Sequence, residues 1–183
     1  MRSKFKKILG RNNQGFTLIE TLVAITILLI GVLGPMTTAT RGITDGFYAQ
    51  NQLIGTYLAQ EGLDLMGTQI QNNYANRVAF LNALDACLAA PYCGTGNLAV
   101  SDQVIFSSCS ALNNCQIAYD SNIHFYKQYD SASAINFSGP IFTRTLSVVS
   151  LTPTEALLKS VVTWTDKTKA ESVSLYRYVF DRS

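Results

Sequence analysis

The sequence predicts an α+β protein in which a long N-terminal helix, with a membrane half and an amphipathic half, packs on a C-terminal antiparallel sheet. Three observations predict it. From Phe16 to Leu33 the chain is almost wholly apolar, close to the ~20 residues a helix needs to cross a bilayer. Beyond it, Ile43, Phe47, Ile54, Leu58 and Leu65 recur at steps of 4, 7, 4 and 7, which is a helical stripe. The last third alternates apolar and polar residues between turn signals, the pattern of strands with one packed face. A helix with a stripe to bury and a sheet with a face to cover should pack on each other.

The N-terminus comes first in this order. At 183 residues the chain has room for one domain with a real core. Its net charge of +2 is misleading, because Arg2, Lys4, Lys6, Lys7 and Arg11 all precede Phe16 and no acidic residue does. Without them, 14 − 5 = 9 basic residues face 12 acidic ones, a formal charge of −3. The basic excess therefore belongs to a leader over residues 1–15. It orients the chain, since positive flanks stay cytoplasmic and the rest faces outward. It gives no basic stripe to a folded domain, so no nucleic-acid partner is expected. Only 14% of residues are charged, against about 25% in soluble domains, which suits an exported surface.

The apolar segment reads F-T-L-I-E-T-L-V-A-I-T-I-L-L-I-G-V-L. A cleaved secretory signal has a shorter apolar core, about 7–15 residues, ahead of a small-residue cleavage site. Here only Thr38-Ala39-Thr40 follows. An uncleaved signal anchor accounts for the apolar run and its basic flank, but leaves Gly15 and Glu20 unexplained. A carboxylate at membrane depth costs roughly 2.5–3.5 kcal/mol at a helix centre on insertion scales and marks a functional residue by default.

Gly15-Phe16-Thr17-Leu18-Ile19-Glu20 behind a basic leader resembles the processing signature of type IV pilin and pseudopilin precursors, the class III signal peptide. The resemblance is sequence-specific from Gly15 to about Leu33 and architectural beyond. It implies that a prepilin peptidase cuts after Gly15 at the cytoplasmic face and that Phe16 becomes the N-methylated mature N-terminus. It also implies that Glu20 pairs with the N-terminal amine of a neighbouring subunit during assembly. A glycine suits the cut because the absence of Cβ lets a protease approach the backbone. The fifteen-residue leader is longer than the short leaders common in the family. The run Ile27-Leu28-Leu29-Ile30-Gly31-Val32-Leu33-Gly34 is most like the PilV-type minor pilins.

Gly31, Gly34 and Pro35 should soften or kink the helix; the resemblance implies local melting there on assembly, and a plain kink at the membrane exit fits equally. One helix from about Phe16 to Gln71 would measure roughly 80 Å at 1.5 Å per residue. Gly42, Gly46, Gly55 and Gly62 interrupt its amphipathic part, and its stripe is read as core in preference to a partner surface. Leu58-Ala59-Gln60-Glu61-Gly62-Leu63 resembles a stretch of some bacterial pilin-like proteins. Val78, Leu81, Leu84 and Leu88 suggest a second helix ending before Pro91. Short strands follow from about Val100. Then come three alternating runs: Phe142, Arg144, Leu146 and Val148; Leu158, Val162 and Trp164; Val173, Leu175 and Val179, with Tyr176, Tyr178 and Phe180 between the last set. Thr152-Pro153-Thr154 and Asp166 to Lys169 read as their turns. The domain plan is a leader over 1–15, a transmembrane and assembly helix over 16–35, and an extracytoplasmic head over 36–183. Within the head, a helix covers about 36–71, a disulfide-rich αβ region about 72–130 and the meander about 140–181.

Cys87, Cys93, Cys109 and Cys115 form two C-x5-C pairs. In an exported domain an even count implies disulfides. Of the three connectivities, Cys87–Cys93 with Cys109–Cys115 is favoured, because each closes a short loop over turn residues, Pro91 or Asn113-Asn114. Zinc is the alternative, but structural zinc usually shows C-x2–4-C spacing. The family's usual cysteine pair lies near the C-terminus, so no disulfide role is carried over. No catalytic constellation appears: His124 is the only histidine, and Asp102, Asp120 and Asp130 are too dispersed for a calcium loop. No catalytic residue, metal or cofactor is assigned. The aromatic residues are read as core in preference to a sugar-binding platform.

The resemblance thus implies a prepilin-like structural subunit, not an enzyme, assembled through its N-terminal helix into a type IV pilus or related filament as a minor pilin. Its partners would be the prepilin peptidase, other pilin subunits, the assembly machinery and the membrane. Its location would be the inner membrane, single-pass with the head outside, and then the filament. The alternatives are a minor pseudopilin of a type II secretion system and an anchored extracellular binding module that never polymerises.

Overall fold

Apolar and small residues from Leu18 onward, with no strong breaker before residue 76 except Pro35, give one helix, α1 (Leu18–Ala75). A computed structural model describes residues 15, 17–89, 92–95, 104–109, 115–122, 124–128, 139–166 and 169–182. The chain divides into two compact units between Gly46 and Phe47. The first contributes the apolar part of α1, in which every described side chain is exposed. The remaining elements belong to the second unit: α2 (Asp85–Ala89), β1 (Cys93–Thr95), β2 (Phe106–Ser108), β3 (Gln116–Asp120), β4 (Phe125–Gln128), β5 (Phe142–Thr152), β6 (Glu155–Asp166) and β7 (Lys169–Phe180).

The strands form one antiparallel seven-stranded sheet. β5 is its hub. One edge of β5 pairs with β6 along nearly its whole length, and β6 pairs with β7. The other edge is shared by two short strands, β3 at Phe142 and Thr143 and β1 at Leu146. β2 extends β1, and β4 extends β3. The alternation read from the sequence sets the faces: Phe142, Arg144, Leu146 and Val148 on β5, with Leu158, Val162 and Trp164 on β6, are all buried. Pro153 and Thr154 make the tight β5–β6 turn, beside an irregularity between Ser150 and Thr152.

The second half of α1 covers that inner face. Leu58 and Ala59 pack with Ile117, Phe142, Val162 and Trp164. Leu63, Met66 and Ile70 pack with Leu146, Val148, Ala156 and Leu158. Close approach is possible because the facing helix positions are small. A Cβ on Gly62 would lie 2.7 Å from Leu146 Cδ2 and 2.9 Å from Ser160 Oγ, and one on Gly55 would lie 2.7 Å from Trp164 Cζ3.

Several expectations are corrected. Gly55 and Gly62 are contact points of an unbroken helix, not interruptions, while Gly42 and Gly46 have open space around a Cβ. Ile43 and Phe47 are exposed and so outside the core; the buried stripe begins near Gly55, where Trp164 first provides a surface. The softening or kink expected at Pro35 is compatible with α1, which runs through that residue. The apolar spacing from Val78 to Leu88 gives turns, with only Asp85–Ala89 helical. The cause is a firm stop ahead of it. Arg77 takes a left-handed φ of 54°, with Val78 N donating to Asn73 O and Arg77 N to Tyr74 O, the bond pair of a Schellman cap. Buried Asn73 then holds the turn, its Nδ2 donating to Phe80 O at 3.0 Å and Asn82 O at 2.8 Å.

The packing gives a direct test. Gly62→Ala should destabilise the head by about 1–3 kcal/mol through overpacking, whereas Gly42→Ala should lose no stability. Thermal unfolding of the detergent-solubilised full chain, followed by near-ultraviolet circular dichroism, separates the two. Equal midpoints would show that α1 does not rest on the sheet at Gly62.

Candidate functional site

The chemistry singled out by the sequence lies at the start of α1. Gly15 is exposed, with nothing within 4 Å of where a Cβ would stand; residues 1–14 and Phe16 lie outside the described residues. Thr17 caps the helix, with Glu20 N donating to Thr17 O at 3.0 Å and approaching Thr17 Oγ1 at 3.4 Å. The Thr17-x-x-Glu20 spacing is that of a capping box. Glu20 therefore sits in the first turn of α1, where the helix dipole favours a negative charge.

Between Leu18 and Leu33 the polar side chains are Glu20, Thr21 and Thr26. Both threonines satisfy themselves: Thr21 Oγ1 donates to Leu18 O at 2.9 Å, and Thr26 Oγ1 to Val23 O at 2.8 Å. Thr37, Thr38, Thr40 and Thr44 likewise donate back to carbonyls of α1. In an apolar medium such hydroxyls need no partner. Among the described residues, the Glu20 carboxylate has neither a hydrogen-bond donor nor a cation beside it. It is the one side chain of this segment whose polarity must be answered from elsewhere. The surrounding exposed Leu, Ile and Val side chains make a helix apolar all round, which needs lipid or other helices as its environment. Among the described helices, only α1 is long and apolar enough to cross a membrane.

A second polar constellation lies inside the head. Arg144 of β5 is 2% exposed. Its Nη1 donates to Glu61 Oε2 at 2.8 Å and to Leu58 O at 3.1 Å, both on α1. Its Nη2 donates to Thr95 Oγ1 of β1 at 3.0 Å and reaches Gln128 Oε1 of β4 at 3.4 Å. Thr95 Oγ1 also donates to Gln128 Oε1 at 2.5 Å. One guanidinium thus ties the helix to three strands. Burial pulls its pKa below the usual arginine range, and Glu61 pushes it back up; arginine starts so far above neutrality that it stays charged. Arg144 Nε and the nearby Ser160 Oγ are buried without a partner. At the helix's next turn, Arg177 Nη2 meets Asp64 Oδ1 at 2.6 Å, near the surface. Sequence reasoning placed Arg144 on the packed parity of its strand but gave it no role. An arginine on a buried strand face is itself the signal, since it demands a carboxylate across the interface.

All four cysteines are disulfide-bonded, Cys87 to Cys93 and Cys109 to Cys115. The first ties α2 to β1. Cys115 also ties in to β5, its carbonyl accepting from Arg144 N at 2.8 Å. His124 is exposed, at a φ of 57°, with Nδ1 3.3 Å from Tyr119 Oη. Asp120 Oδ1 accepts from Asn122 N in a local turn. Asp102 and Asp130 lie outside the described residues, and no cluster suited to a metal ion occurs among the described ones.

The Arg144 network predicts an asymmetric mutational response. Glu61→Gln should cost about 1–3 kcal/mol, below the usual range for a broken buried pair because Glu61 is 47% exposed. Arg144→Met combined with Glu61→Gln should recover part of that loss, since no buried charge is left over. Denaturant unfolding of the full chain reads both, and a double variant worse than Glu61→Gln would contradict the account. Alkylation without reduction should label no cysteine.

Residues 10–34 match the prokaryotic N-terminal methylation motif, a span that holds Gly15, Phe16 and Glu20. The match supports a type IV pilin-like prepilin, and such a motif indicates a structural subunit and not an enzyme family. Motif and apolar helix together suggest membrane anchoring. No curated protein and no solved structure matches the chain.

Proposed function

We propose that the chain is the precursor of a minor pilin: a subunit cut after Gly15, N-methylated on Phe16 and assembled through α1 into a type IV pilus or related filament. The observation that carries this reading is Glu20, the one side chain from Leu18 to Leu33 that its own helix leaves unanswered, inside a matched methylation motif. Residues 1–15 are then the leader, 16–35 the membrane and assembly helix, and 36–183 the extracytoplasmic head. The minor-pilin assignment rests on the likeness of the Ile27–Gly34 run.

The chemistry follows from the residues. Hydrolysis of the Gly15–Phe16 bond leaves a carboxylate on Gly15 and an ammonium on Phe16. In methylation the neutral amine attacks the methyl carbon of a sulfonium-type donor, whose S–CH3 bond breaks to leave a thioether; the resulting methylammonium keeps the positive charge, the displaced proton having gone to solvent. An ammonium and a carboxylate in a low-dielectric bundle each carry a desolvation penalty of several kcal/mol, which pairing offsets. A neighbour's Phe16 ammonium supplies the cation that Glu20 lacks, so register between subunits is set by charge while apolar contact holds the helices. Before assembly, Glu20 lies near the helix end, where it snorkels to the interface and gains from the helix dipole.

Two measurements test this. Mass spectrometry of the mature N-terminus, with and without prepilin peptidase, should show a peptidase-dependent start at methylated Phe16; an intact Met1 in both would leave an anchored extracellular domain. Glu20→Ala should still insert in the membrane yet be lost from filaments. Its normal incorporation would falsify the pairing account.

A further inference from the structure

We propose that the cleft between the last turns of α1 and the open edge of β2 binds an extended peptide segment carrying a basic side chain, which adds to β2 as a further strand. The inference goes beyond the filament reading and does not depend on it. The cleft has a volume of about 490 Å³, within the ~300–1,000 Å³ of ligand sites.

One wall is a strand edge. Val104, Ile105 and Phe106 line the cleft in succession. Successive side chains of a strand point to opposite faces, so three in a row border one cleft only along the strand's edge. The hydrogen-bond phase shows what that edge offers. Cys109 N donates to Tyr92 O at 3.3 Å, and Ser107, two residues before it, stands opposite Gly94. Antiparallel alternation then has Ser107 bond inward to β1, and turns the main-chain N–H and C=O of Phe106 and Ser108 outward. Among the described residues nothing bonds to them, and β2 ends its side of the sheet. Phe106 is 7% exposed, a depth at which main-chain groups are nearly always paired. An added strand supplies such partners.

The facing wall carries Gln69, Asn72 and Asn76 of α1, three carboxamides on one helix face. Each offers both donors and an acceptor, which match the N–H and C=O that an extended chain presents on its far side. Gln69 is held from behind: its Nε2 donates to Asn73 Oδ1 at 3.0 Å, and Asn73 is itself fixed to Phe80 O and Asn82 O. Ala83, also on the cleft, keeps a left-handed φ of 64°, strained backbone of the kind retained at binding sites. The aromatic residue in the lining is the buried Phe106, so no open ring is there to stack a sugar. Asp85 is the one charged side chain on the cleft, exposed and without an ion pair among the described residues. It selects a lysine or arginine on the incoming segment.

The test uses the full chain in detergent with two pools of fluorescein-labelled pentapeptides, Xaa-Xaa-Lys-Xaa-Xaa and Xaa-Xaa-Glu-Xaa-Xaa, read by anisotropy. The lysine pool should bind roughly tenfold more tightly, the scale of one charge-assisted hydrogen bond, and Asp85→Asn should remove that difference. Asn72→Ala with Asn76→Ala, both exposed positions, should weaken binding of both pools and leave the unfolding midpoint unchanged. Saturation with the lysine pool should slow hydrogen exchange at the Phe106 and Ser108 amides. Equal affinity of the two pools overturns the basic preference. Unprotected Phe106 and Ser108 amides, or full binding by a pool methylated on its main-chain nitrogens, overturn strand addition. No binding of either pool at millimolar concentration overturns the site.

Discussion

The head depends on how closely the second half of α1 approaches the sheet. Small residues at Gly55, Ala59 and Gly62 bring the helix down until Leu146, Ser160 and Trp164 fill the space a side chain would take. At that distance the Arg144 guanidinium, rising from β5, reaches both a main-chain carbonyl and a carboxylate on the helix. Its other nitrogen reaches β1 and β4. Buried charge of this kind adds little net stability against a well-packed apolar alternative. What it contributes here is registry: both Nη atoms of one planar group find partners only when helix, β1 and β4 occupy a single mutual arrangement.

The same helix follows opposite rules in its two parts. In the head, α1 buries a stripe and exposes the rest, as an amphipathic helix on a sheet does. From Leu18 to Leu33 it exposes apolar side chains all round, with threonines that answer their own hydroxyls. A segment so built has no use for water and, among the described residues, offers a carboxylate no donor or cation. Glu20 stands out for that reason, and the matched methylation motif around it gives its position a chemical context.

Around the hub strand, short elements are held by covalent and polar ties in place of area. β1 has three residues and pairs with β5 at a single register position, too little to persist on backbone bonds alone. The Cys87–Cys93 disulfide and the Thr95–Arg144 bond supply the rest. By contrast β5 pairs with β6 along nearly its whole length and β6 with β7 throughout, and they carry exposed aromatic residues on their outer face. The long hairpins are the rigid support, and the disulfide-bonded strands are fitted to their free edge.

Much of this was legible from local pattern. Period-two alternation identified β5, β6 and β7 and the buried side of β5 and β6, because sheet geometry ties face directly to parity. The apolar run, Gly15 and Glu20 marked the N-terminal segment, because charge and hydropathy there act along the chain and need no fold to be read. The local spacing of the cysteines likewise matched the bonds found. Partnership across the chain was not legible. Sequence placed Arg144 on the packed face, but only tertiary structure decided that Glu61, Thr95 and Gln128 meet it, since a buried charge requires partners without specifying their position. Gly55 and Gly62 read as helix breakers because propensity is a local average; the sheet turned them into the closest contacts in the head. Ile43 and Phe47 fit the stripe but lie outside the core, because periodicity tells which face of a helix is apolar and not how far along it a sheet extends to cover it.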